Sequence, residues 1–457
     1  MHDLTQGPVS RHIVKMAMPI GIGMLFQTLY FLVDLYFVAR IGDAAIAGVG
    51  AAGNIMFVVM ALTQVLGVGT VTLIAQAVGR KDQGDANLVF NQSLLLAALC
   101  GVFTLVVGAV AIGPYMHMLG ADTATQDAGI AYLAWYLPGL ALQFASVSMA
   151  SALRGTGIAK PTMLVQMLTV LINAILAPVL IAGWGTGYAM GVAGAGLATT
   201  ISIAVGVVLL ALYFVKLEKF VVFDRRLWAP RVETWRRILG IGLPAGGEFA
   251  LMFIYMAVIY TVIRSFGASA QAGFGIGARV MQAIFLPAMA VAFATSPVAG
   301  QNMGAGLPDR VRATFRSAIG IGSALMLVLT LVCQVKPEWF VRAFTQDAAV
   351  IAIATQFLRY ISWNFVAQGI VFTCSGMFQA LGNTVPSLIS SASRLLTFAL
   401  PTIWLSQQPG FELRQVWIAS VASVALQAIF SLWLMRREFQ LRLKPAAAVA
   451  AAASTAA

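Results

Sequence analysis

Apolar residues run in long blocks along this chain, broken at intervals by short polar, Gly-rich or Pro-rich stretches. A helix needs about 20 apolar residues to cross a bilayer. Twelve blocks are long enough, near residues 13–39, 44–78, 86–116, 124–152, 161–183, 191–215, 235–266, 270–303, 309–335, 347–379, 385–405 and 413–435. Six fall in each half. The pattern predicts an all-α membrane protein of twelve transmembrane helices.

The halves are copies of one another at a single fixed offset, the one that carries Pro19 onto Pro244. The same step pairs Gly42 with Gly267, Gly48 with Gly273, Thr70 with Thr295, Gln76 with Gln301, and Gly79 with Gly304. The register continues without a gap through Gln143 and Gln368, Gly157 and Gly382, and Pro161 and Pro386. Shared apolar composition scatters identities at any offset, but it does not align Gly, Pro and Gln at one. An even number of spans per half returns the second half to the same side, so two parallel six-helix repeats are expected. Related halves enclosing a site are the plan of a transporter.

Composition agrees. Of 457 residues, 60% are hydrophobic and 10% charged, with a mean hydropathy of +0.88, which a water-soluble protein of this size could not carry without large exposed apolar patches. The formal charge of +12 would point to nucleic acid in a soluble protein, but its distribution indicates topology. With the N-terminus inside, 20 Lys and Arg fall in cytoplasmic segments, from Arg11 to Lys444, and five (Arg40, Arg264, Lys336, Arg342 and Arg414) in the opposite loops. This bias places both termini in the cytoplasm. The expected organisation is an N-lobe over residues 1–216, a charged cytoplasmic linker over 217–237, a C-lobe over 238–440 and a low-complexity tail over 441–457. The three Cys and three His are dispersed, so no disulfide framework, metal centre or cofactor is expected.

Two of the sixteen acidic residues lie inside spans, Asp34 in the first and Glu248 in the seventh. An ionised carboxylate at membrane depth costs at least about 2.5 kcal/mol, so it normally faces a polar cavity and has a function there. Gln27, Tyr30 and Asp34 are spaced by three and four residues, which puts an amide, a phenol and a carboxylate on one helical face. The plainer alternative for Asp34 is a side chain snorkelling at the helix end or bonded to a neighbouring span. Glu248 follows Pro244 by one turn, where a proline leaves backbone carbonyls unpaired; its alternative is a hydrogen bond within its own half. The repeat partners of Asp34 and Glu248 are Ile259 and Gly23. Each acid is therefore peculiar to one half. Asn173, Gln143, Gln166, Gln271, Gln282, Trp363, Asn364 and Gln368 are further polar or amphipathic groups inside spans. Of these, Gln143, Trp363 and Gln368, with Met252, are candidates to line a substrate cavity. Arg279, Arg359 and Arg394 are intramembrane cations, expected to form ion pairs or to snorkel.

Several segments resemble the multidrug and toxic compound extrusion (MATE) family: Pro19 with VDLYFVARIG, GTVTLIAQAVGRKD closing the second span, ALRGTGIAKPTM between the fourth and fifth, and VAGQNMGAG and FQALGNTVPS in the second half. The resemblance covers roughly residues 10–438. It implies a V-shaped two-lobed bundle of the plasma (inner) membrane, functional as a monomer, that exports amphipathic, often cationic compounds by alternating access against an inward H+ or Na+ gradient. Its partners would be small molecules and lipids, with no nucleic acid and no enzymatic activity. Asp34 matches the family's first-span acid, and Gln27, Tyr30, Asn173 and Thr199 match its cation or proton partners, so a Na+ ion at Asp34 is the one metal the reading admits. Two departures stand out. Ala177 occupies a position where one branch has a second Asp. In the second half Met252 stands where another branch has an acid, with Glu248 one turn earlier and no acid in the tenth span.

Rival readings share parts of the pattern. A major facilitator antiporter also has twelve spans in parallel halves, but GRKDQGD lacks that superfamily's order of glycine, acid and base. A lipid or polysaccharide-precursor flippase would carry an Arg-rich cavity. An intramembrane enzyme needs converging His, Asp, Glu or Cys, which the scattered positions do not supply. A channel would more naturally assemble from fewer spans around a shared pore.

Overall fold

The computed structural model describes residues 2–120 and 122–443; the low-complexity tail from residue 444, with Lys444, lies outside the described residues. Among these the secondary structure is helical, without strands. The first half comprises α1 (Val9–Ala39), α2 (Asp43–Gly79), α3 (Gln83–Leu119), α4 (Thr123–Gly155), α5 (Lys160–Ala182) and α6 (Val192–Lys216). The second comprises α7 (Val232–Ile263), α8 (Ala268–Gly304), α9 (Pro308–Val335), the short α10 (Pro337–Arg342), α11 (Ala348–Ile361), α12 (Phe365–Ala380), α13 (Val385–Ser406) and α14 (Leu413–Arg442). Eleven of these helices are individually long and apolar enough to cross a bilayer. The remaining span is α11 and α12 in series.

That span differs from the uninterrupted block expected at 347–379. A short 3-10 turn at Ser362–Asn364 divides it, and no proline is involved. Side chains of α9 take up the carbonyls at the break: Thr330 Oγ1 donates to Ser362 O at 3.0 Å and Gln334 Nε2 to Arg359 O at 2.8 Å. A helix can change its winding inside a bundle when neighbours satisfy its freed backbone groups. α7 runs on through Pro244, whose nitrogen has no hydrogen to offer the carbonyl one turn before it.

The repeat is also visible in the conformation of the turns. Lys81 and Gly306, which are repeat partners, both adopt left-handed backbone, with φ of 60° and 70°. The bond of Asp82 N to Ala77 O at 2.9 Å recurs as Leu307 N to Asn302 O at 3.0 Å. Gly157 and Gly382 form another such pair, each closing a helix where a side chain would be strained.

The described residues form two compact units. Met18–Gly246 make up most of the first, and Leu4–Ala17 join the chain from Gly247 onward in the second. The change of unit thus falls within α1, next to Pro19, and within α7, next to Pro244, and residues 217–237 pack with the first unit. Hydrogen bonding accounts for this. Asn91 Oδ1 accepts from Asp224 N and Trp228 Nε1 at 3.0 and 2.9 Å, while Gln92 Nε2 donates to Leu227 O and Ala229 O. Arg237 then grips Asp85 through two bonds of 2.8 and 2.9 Å. In the second unit, Gln301 and Asn302 bond the backbone of Leu4, and Arg310 bonds Gly7 O.

Each unit has its own core. Phe90 and Phe214 stack at 4.6 Å in the first, and Trp417 packs between Phe274 and Phe357 in the second. Outward faces are apolar too: α3 exposes Val102, Phe103, Val106 and Val110, which suits a lipid environment and no aqueous one.

Candidate functional site

In the first unit, α1, α5 and α6 converge on Asp34, which is 8% exposed. Asn173 Nδ2 on α5 donates to Oδ1 at 2.9 Å, and Thr199 Oγ1 on α6 donates to Oδ2 at 3.0 Å. The single Thr199 proton has a second acceptor, Ala195 O, also at 3.0 Å. Tyr30, one turn before Asp34 on α1, donates from its hydroxyl to Thr199 O at 3.3 Å. The carboxylate is thus held by neutral donors, and no Lys or Arg pairs with it among the described residues. Asn173 is fully buried, yet its Oδ1 has no hydrogen-bond partner. A buried carboxylate and an unsatisfied amide oxygen side by side form a group of acceptors short of one positive charge.

Sequence reasoning placed Tyr30, Asp34, Asn173 and Thr199 together, and the structure brings all four into contact. Gln27 is half-buried on the same helix but outside this hydrogen-bond set. Two members were not anticipated. Tyr132 and Tyr136 of α4, nearly fully buried, lie within electrostatic reach of Asp34. Their four-residue spacing was a signal of a shared face, but nothing in it specified which helix they meet.

Glu248 is surrounded by hydroxyls in the second unit. Its Oε2 accepts from Ser387 at 2.7 Å and from Ser375 at 3.1 Å, and its Oε1 from Ser391 at 3.5 Å. Gln368 is 5% exposed and bonds Arg394, whereas Met252 and Trp363 are 47% and 67% exposed. Gln143 is half-buried; the structure brings Gln143, Met252 and Trp363 into neither acidic cluster.

A family model for MatE matches residues 19–179 and again 244–405, one match in each repeat. The chain belongs to the MATE family. It is 26% identical to the probable multidrug resistance protein YpnP of Bacillus subtilis, over 91% of both chains. To the multidrug export protein MepA of Staphylococcus aureus it is 25% identical, over 95% of this chain and 96% of that one. Among solved structures, a MOP superfamily transporter from Pyrococcus furiosus superposes with a TM-score of 0.91 at 28% identity, covering 97% of this chain and 98% of the other. The protein is therefore a multi-pass membrane transporter of an efflux family and not an enzyme. MATE transporters need no cofactor for this activity.

Proposed function

We propose that this MATE protein is a secondary exporter of amphipathic, often cationic compounds, driven by an inward H+ or Na+ gradient that acts at Asp34. The observation that carries this reading is the Asp34 cluster: a buried carboxylate with neutral donors only, beside an Asn173 oxygen that nothing satisfies. A proton on Asp34, or a Na+ ion held between Asp34 and Asn173 Oδ1, would supply the missing positive charge. Asp34 and Asn173 sit on different helices, α1 and α5, so a positive charge held between them would favour whichever conformation keeps them together, which is what coupling requires. The excess of basic residues in one set of loops supports an inner-membrane protein with cytoplasmic termini; that it acts as a monomer among lipids, without nucleic acid, is part of the same proposal and rests on the family resemblance.

The test is efflux from proteoliposomes of the purified protein under a pure pH gradient, a pure Na+ gradient, or neither. Accumulation against a concentration difference is expected with one of the two gradients and none without. Transport that continues with all gradients collapsed but requires ATP would end this reading.

Glu248 has a smaller part in this scheme, and Glu248→Gln is expected to lower gradient-driven efflux by less than about tenfold. The amide oxygen still accepts two of the serine hydroxyl bonds, each worth ~1 kcal/mol. Initial efflux rates at matched protein density check this, and a complete loss would move the coupling site into the second unit.

A further inference from the structure

The repeat relates the acidic site of the first unit to a different kind of cavity in the second. The repeat partners of Tyr30, Asp34, Tyr132 and Tyr136 are Tyr255, Ile259, Phe357 and Ile361, and these four line one narrow cavity between α7, α8, α11, α13 and α14. The acid is gone, and a cation has entered from α13: Arg394, where the first repeat has Thr169, lines the same cavity. Its guanidinium lies 4.2 Å from the centre of the Tyr255 ring, and Nη1 donates to Gln368 Oε1 at 3.1 Å. The expected ion pair is absent among the described residues. Glu248, the one intramembrane acid of this unit, is taken up by the three serines. Arg394 Nε is buried without an acceptor, and Asn364 Oδ1, on the same cavity, is buried without a donor. Arg279 and Arg359, by contrast, are exposed.

A guanidinium remains charged at any physiological pH, and in a low-dielectric interior it is stabilised by an oxyanion. Neither an aromatic face nor a neutral amide replaces one, because neither brings the negative charge that compensates a buried cation. The free volume is about 30 Å³, room for an oxyanion head group, and the remainder of the lining, including Met256, Met281, Phe274 and Phe285, is apolar.

We propose that this cavity is an anion-binding site, in which Arg394 anchors the carboxylate or another oxyanion of an amphipathic ligand. Tyr255 holds the guanidinium in place until the ligand arrives, and Asn364 accepts a hydrogen bond from a hydroxyl or N–H beside the oxyanion. The two repeats then serve opposite charges, a cation at Asp34 and an anion at Arg394. This goes beyond gradient-driven efflux and stands or falls separately from it, since binding needs no gradient.

The test is equilibrium binding to the purified full chain in phosphatidylcholine nanodiscs, read by dansyl fluorescence. The probes are dansyl-labelled undecanoate and the same labelled chain ending in trimethylammonium. The wild type is expected to bind the carboxylate probe at least ~10-fold more tightly than the ammonium probe, the scale of a lost charge-assisted contact. Arg394→Met should abolish that preference, and Arg394→Lys should keep most of it. If Arg394→Met does not fold, Arg394→Gln, which can still bond Gln368, is read in the same way. Adding phosphatidylglycerol distinguishes the source of the anion: weakened probe binding in the wild type alone identifies a lipid headgroup, and unchanged binding identifies a soluble ligand. Equal affinity for the two probes, or a preference that survives Arg394→Met, overturns the proposal.

Discussion

Asp34→Asn is expected to remove gradient-driven efflux almost entirely, by up to ~100-fold, the upper range of a typical coupling free energy. The amide keeps the volume of the carboxyl and can still bond Asn173 and Thr199 after reorienting. Folding and membrane insertion should therefore survive. What it cannot do is take up and release a positive charge in each cycle, and without that step the ion gradient has no purchase on the conformational equilibrium. Initial efflux rates in proteoliposomes, with insertion checked by size-exclusion profile, measure the effect. If Asp34→Asn transported normally while Glu248→Gln did not, the roles assigned to Tyr30, Asn173 and Thr199 would be lost together.

Gly242→Val is expected to be the most destabilising single change on α7. A Cβ at Gly242 would stand 1.9 Å from the carbonyl oxygen of Val65 on α2, and one at Gly246 would meet the Val65 side chain at 2.3 Å. Across the same contact, a Cβ on Gly69 would reach Ile238 O at 2.3 Å. Small residues four apart allow two backbones to approach this closely in a membrane, where packing replaces the hydrophobic drive between helices. A carbonyl oxygen inside a helix cannot turn aside as a flexible side chain can, so the helices would have to separate. A cost at or above ~3 kcal/mol, the upper end for overpacking, follows. Gly240 is the internal control: nothing lies within 4 Å of its would-be Cβ, and Gly240→Ala should stabilise by up to ~1 kcal/mol through helix propensity. Thermal unfolding of the two variants in detergent checks both signs. Equal melting temperatures would show that α2 and α7 are not held at this distance.

Much of the Asp34 site was legible because its members carry an unusual cost. A carboxylate in an apolar run is conspicuous, and its helical spacing to Tyr30 identified a second partner on the same face. Asn173 and Thr199 are remote from Asp34 along the chain, on the fifth and sixth helices, and only their match to family positions pointed to them. Gln27 shares the spacing without sharing the hydrogen bonds, since spacing fixes a helical face but not how far a side chain reaches. Gly242 and Gly246 were visible as glycines four apart, yet whether such a pair meets a partner helix depends on that helix's approach.

The sequence by itself determined the twelve spans, the duplication and the chemical divergence of the halves. These are consequences of local hydrophobicity and linear register: a bilayer-length apolar block becomes a helical span, even where a neighbour interrupts its winding, and a constant offset between repeats is a property of the string. Only the tertiary structure decided which polar groups satisfy one another. It gave Glu248 three serines in place of a cation, wound the tenth span into a 3-10 turn against Thr330 and Gln334, and left Arg394 on an aromatic ring. The physical reason is that membrane insertion is governed by hydrophobicity summed over a segment, whereas a buried hydrogen bond depends on ångström distances between residues far apart in the chain.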